Sequence, residues 1–119
     1  MNFNHLAIQA SDILTITENY QFELGRISDE IIREYGYKAL IEFSNEIELI
    51  GGIRRTPATL RMYAYIFKVS KKLELPEDLT FDVCRKIVFS EDKLKYSQMA
   101  KDGATSREII HALYEDEKD

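Results

Sequence analysis

Glu108-Ile-Ile-His111 sets a carboxylate and an imidazole three residues apart, the half-site from which helical di-metal centres are built. No second Glu-x-x-His occurs, and Glu108 stands where a capping-box carboxylate turns back toward the start of its helix. No metal and no other cofactor is therefore expected. His5, between Asn4 and Leu6, reads as an ordinary half-exposed residue. Cys84, the single cysteine, is spaced from Phe81, Ile87 and Val88 as on the apolar side of a helix, which predicts a buried, inert thiol. A Cys–His nucleophile would need a histidine brought from either terminus. Glu30/Glu34 and Glu42/Glu46 are carboxylate pairs at i, i+4, most simply the outer faces of helices. With no Gly-rich phosphate loop, no Gly-x-Ser-x-Gly and no His/Cys cluster, enzyme activity is not expected.

Binding chemistry is better supplied, by residues 54–73. At about 100° per residue, Arg61, Tyr65, Lys68 and Lys72 fall within roughly 60° of one another. Met62, Tyr63, Ile66, Phe67, Val69, Ser70 and Leu73 occupy the opposite arc. Arg54 and Arg55 precede the helix start, where free backbone amides already favour an anion, and Thr56 and Thr59 offer hydroxyls. Long cations on one face with amides and hydroxyls at a helix start suit phosphate. A solvated outer face made of Lys and Arg explains the same residues, as does pairing of Arg54 and Arg55 with the chain's own carboxylates. Tyr65 interrupts the cationic stripe, placed either to stack on a base or to cover the stems of Arg61 and Lys68.

Near the C-terminus, Tyr96-Ser-Gln-Met-Ala-Lys-Asp-Gly-Ala-Thr-Ser-Arg-Glu-Ile-Ile-His-Ala-Leu113 carries a small residue (Ala100), a glycine (Gly103), a Ser/Thr cap (Thr105, Ser106) and an apolar anchor (Ile110). Over these 18 residues the chain resembles the helix-turn-helix of DNA-binding proteins, with Gly103 three residues after Ala100 where the pattern has four. The resemblance implies that Thr105, Ser106 and Arg107 lie near a DNA groove. A plain helix–turn–helix corner explains the same segment, and Glu115, Asp116 and Glu117 behind it would repel phosphate. The link Gly51-Gly-Ile-Arg-Arg55 into the basic helix is a second candidate pair, preferred on electrostatics.

The elements that must position these residues are helices. Phe3, Leu6, Ala7, Ala10, Ile13 and Leu14 step by three and four, and Thr17 is placed to cap a turn into Tyr20, Phe22 and Leu24. Ser28 reads as an N-cap followed by Asp29 and Glu30, with Gly36 closing that helix. Leu40, Phe43, Ile47 and Ile50 form the next stripe, ended by Gly51-Gly52. Thr56 caps and Pro57 opens the basic helix, which stops near Leu73 or Glu74, before Pro76. Thr80 caps Phe81–Val88, Ser90 caps a helix over 91–101, and Thr105-Ser-Arg-Glu108 is a capping box opening the last helix. Tyr35, Tyr37, Tyr63, Phe67, Phe81 and Phe89 are assigned to the core. The fold class expected is all-α, a bundle of six or seven helices with a candidate helix-turn-helix, forming one domain over 1–113 and a frayed acidic tail over 114–119.

Composition narrows the function. A 119-residue chain with 45% hydrophobic residues suffices for one core and is not disordered in general. One cysteine suits a reducing, cytoplasmic setting, and no apolar run serves as a membrane span or a signal-peptide core. The 3 basic and 9 acidic residues of 1–50 leave −6, whereas 10 and 6 over 51–100 leave +4. The function expected is a small DNA-binding protein, a transcriptional or mobile-element regulator acting as a homodimer, because small helical DNA readers pair to match two half-sites. The alternative is an acidic protein–protein interaction module, an adaptor or inhibitor working through its N-terminal half without nucleic acid.

Overall fold

In the computed structural model, residues 6–8, 20–52 and 54–117 are described, and among them the chain is all-helical with no strand. Besides a helical stretch at 6–8, the elements are α1 (Tyr20–Tyr35), α2 (Ala39–Gly51), α3 (Pro57–Lys72), α4 (Phe81–Val88), α5 (Lys93–Lys101) and α6 (Ser106–Glu117). The chain divides into two units, Met1–Lys68 and Val69–Asp119, with the boundary inside α3.

In the first unit, α1 buries Leu24, Ile27 and Ile31, spaced by three and four along one face. They meet Leu40, Phe43 and Ile47 of α2 in a core shared with Leu60 and Ile66 of α3. Each such side chain contributes about 1.5–3 kcal/mol by leaving water. Gly25 is required by a close approach. A Cβ there would collide with the Tyr63 carbonyl and lie 3.1 Å from Cβ of Phe67, so α1 and the α3 backbone touch where a side chain is missing. Gly36 (φ 89°) and Gly52 (φ 68°) adopt the left-handed conformation that closes α1 and α2, as glycines at helix C-termini do.

In the second unit, α4, α5 and α6 pack against one another around Val83, Ile87, Val88 and Ile109. Thr80 caps α4, its hydroxyl accepting the Val83 amide at 3.3 Å. The turn between α5 and α6 is closed by Gly103 (φ 100°), with the Ala104 amide donating to the Met99 carbonyl at 3.0 Å. Cys84 is buried as expected, and desolvation pushes its thiol up to about 11.

Several expected boundaries move. Ser28 is not a cap: it lies buried in the middle of α1, which runs unbroken because Leu24, Ile27 and Ile31 continue one stripe across it. Ser90 does not start α5; its hydroxyl accepts the Asp92 amide at 3.1 Å in a local turn, and the helix begins at Lys93. Tyr35, Tyr37 and Phe89, assigned to the core, are exposed, whereas Tyr63 and Phe81 are buried. Ile50 also leaves the core, at the end of α2. α6 continues through Glu117, so residues 114–117 of the expected tail are helical. The first expected helix lies largely outside the described residues, as do His5 and Thr17.

Candidate nucleic-acid interface

α3 begins where the sequence places it. Thr56 accepts the Thr59 amide on its hydroxyl oxygen (3.2 Å) and donates its own hydrogen to the Thr59 hydroxyl (3.0 Å). Thr56 is thus committed to the cap, while Thr59 keeps a hydroxyl hydrogen for an outside acceptor. The preceding segment is held from α2: the buried Ser44 hydroxyl donates to the Arg55 carbonyl. The Arg55 guanidinium lies 5.4 Å from the centre of the Tyr20 ring and donates to the Arg54 carbonyl at 2.9 Å. Arg55 is half-buried by these contacts; Arg54 points to solvent.

Along α3, Arg61, Tyr65 and Lys68 are exposed, whereas Leu60, Tyr63, Ala64 and Ile66 are buried, with Tyr63 and Ile66 on the arc facing away from the three. Lys72 is exposed on the last turn, in the second unit. The charge state of this face is set by what does not neutralise it. Arg26, Arg33, Arg85, Lys86, Lys95 and Lys101 are each held by a carboxylate of the chain. Among the described residues, Arg54, Arg55, Arg61, Lys68 and Lys72 form no such pair.

A neighbouring feature escaped sequence reasoning. Tyr37, projecting after the Gly36 turn, sits under the Arg61 guanidinium at 5.9 Å from the ring centre. With Lys38, Ile41, Pro57, Ala58 and Arg61 it lines a cleft of about 300 Å3. A tyrosine directly after a left-handed glycine was the available signal, because that glycine turns the chain sharply at the end of α1.

The C-terminal candidate is built differently. Thr105 and Glu108 bond reciprocally, the Thr105 amide to the Glu108 carboxylate at 3.1 Å and the Glu108 amide to the Thr105 hydroxyl at 3.2 Å. Those bonds hold the Glu108 carboxyl below its ordinary range and commit it to the start of the helix. Ser106 accepts the Thr80 amide at 3.3 Å. Two of the three expected contact residues thus serve the fold, and Arg107 alone presents a cation. Further along α6, Asp116 accepts from Lys95 Nζ (2.8 Å) and the Tyr96 hydroxyl, which lowers its carboxyl. The α6 surface carries Glu108, Glu115 and Asp116. No group of three His, Cys, Asp or Glu side chains suited to a metal occurs among the described residues. No helix there is long and apolar enough to cross a membrane. No family model, curated protein or solved structure matches the chain.

Proposed function

We propose that this chain binds nucleic acid through the solvent face of α3 and the Arg54-Arg55 segment leading into it, as a small DNA-binding regulator acting as a homodimer. One observation carries the reading: among the described residues, the cations of this face lack carboxylate partners while six cations elsewhere are paired. An unneutralised cation on a chain of net charge −5 is ready to displace counterions from a phosphate backbone. Arg54, Arg61 and Lys68 would meet phosphate oxygens, with Arg55 behind them and the Thr59 hydroxyl adding a neutral donor. These are positioning contacts that carry no sequence preference of their own.

The test is a titration of labelled DNA at about 50 mM salt, repeated as salt rises. Four phosphate contacts imply a log–log slope of roughly −3 to −4. Absence of binding at the lowest salt would overturn the reading. A second reading, the interaction module, draws on α2, which exposes Ile41 and Leu49 (81% accessible) beside Glu42 and Glu48. An acidic face with unburied aliphatic side chains suits a basic protein partner.

A further inference from the structure

Tyr37 gives up burial to stand beside the cations. It keeps 62% of its surface in water, and Tyr65, one turn beyond Arg61 on α3, keeps 46%. Exposed rings are not needed to hold a phosphate. They are what unstacked bases require: every base has a π-face, so aromatic platforms set among cations bind single strands with little sequence preference. In a duplex the bases are stacked on one another, and such rings find only sugar and phosphate.

We infer that the Tyr37–Arg61 cleft is a stacking site for an unpaired base, making single-stranded nucleic acid the preferred ligand of the α3 face. This rests on the nucleic-acid reading above and narrows it. The cleft holds about 300 Å3, at the lower end of the roughly 300–1,000 Å3 range of small-ligand pockets and suited to a flat heterocycle. Ile41, Pro57 and Ala58 supply apolar surface for the base. The Arg61 guanidinium, already over the Tyr37 ring, can stack on a base plane or reach the adjoining phosphate. Lys38 stands at the same cleft as a second cation for the backbone. Lys68, two turns along α3 from Arg61, extends the cationic track on which neighbouring phosphates lie.

The experiment compares the full chain with Tyr37→Ala and Tyr37→Phe by fluorescence anisotropy. The probes are an oligo-dT of about 12 nucleotides, within the ~4–16 nucleotide footprint of single-strand binders, and a duplex of equal length. An oligo-glutamate peptide carrying one tyrosine serves as competitor. Wild type should prefer the single strand. Tyr37→Ala should weaken oligo-dT binding by about 10-fold, the lower-middle range for one lost stacking partner, and leave duplex binding within about twofold. Tyr37→Phe should bind like wild type. Equal weakening of both probes, or a preference for duplex, overturns the stacking site and leaves the cationic face standing. No binding of either probe overturns both. Tight binding of the peptide that depends on Tyr37, with no effect of Tyr37→Ala on oligo-dT, assigns the cleft to a protein partner instead. Circular dichroism and thermal midpoints of the three proteins confirm that the substitutions, at an exposed position, leave the fold intact.

Discussion

At Gly25 a single added methyl group is expected to weaken the protein measurably. Gly25→Ala gains about 1 kcal/mol in helix propensity, but its Cβ enters the Tyr63 carbonyl, a backbone atom unable to rotate away. Overpacking of this kind costs about 1–3 kcal/mol, so the urea midpoint should fall; an unchanged or higher midpoint would show that α1 and α3 separate freely. Cys84 offers a second residue-scale test. Burial raises its thiol from 9.0 to about 11, so the folded state favours the neutral form. That contribution is complete below the unfolded value and disappears as pH rises from about 9 through 11. A thiol reagent at neutral pH is expected to modify Cys84 only as fast as the chain unfolds; rapid labelling in native buffer would contradict its burial.

Helix ends carry the predictions at the scale of the element. Thr105→Ala removes the acceptor for the Glu108 amide and should cost about 1 kcal/mol, read as a lower thermal midpoint. Protonation acts on the same cap. The Glu108 carboxyl is depressed by the Thr105 amide and hydroxyl, so its support is present above the ordinary carboxylate range and lost as pH falls through the lower folded value. Amide exchange in the first turn of α6 should accelerate in acid earlier than exchange in α2, and parallel exchange in both would remove this role. Caps also show what a sequence reveals. Thr56, Thr80 and Thr105 were legible because each is followed by a helix whose first buried residue fits the spacing. Ser28 carries the same local signature, an N-cap type followed by Asp29 and Glu30. It misleads because the apolar stripe on either side belongs to one helix, and burial of Leu24 and Ile31 against the core outweighs a local cap. Ser90 misleads by two residues, since a hydroxyl that closes a turn and one that caps a helix look alike in sequence.

Across the whole molecule, the acidic total and the basic face are compatible because charge is sorted by pairing as well as by position. The exposure of Arg61, Tyr65 and Lys68 was legible from the 3.6-residue period of α3, for an amphipathic helix has only one side to offer water. That Arg61 and Lys68 pair with no carboxylate among the described residues was not, since ion pairing here joins neighbours on a helix face or residues distant in sequence, such as Lys95 and Asp116. Nor was Tyr37, whose ring suits a core and a surface equally and whose place is decided by its meeting with Arg61 on another helix. Salt dependence is the observable that belongs to this scale. Each phosphate contact removed should lower the slope by about 1, so Arg61→Ala with Lys68→Ala should lower it by about 2.

The most direct measurement is the affinity of the full chain for labelled nucleic acid at about 50 mM salt, beside a variant carrying Arg61→Glu and Lys68→Glu. Both positions are exposed and, among the described residues, in no ion pair, so only the contact of Arg61 with the Tyr37 ring is lost and the variant should unfold within about 1 kcal/mol of wild type. Wild type is expected to bind and to release as salt rises, and the variant, still folded, to bind neither single strand nor duplex. Equal affinity of the two proteins, or no binding by wild type, would contradict a nucleic-acid role for α3.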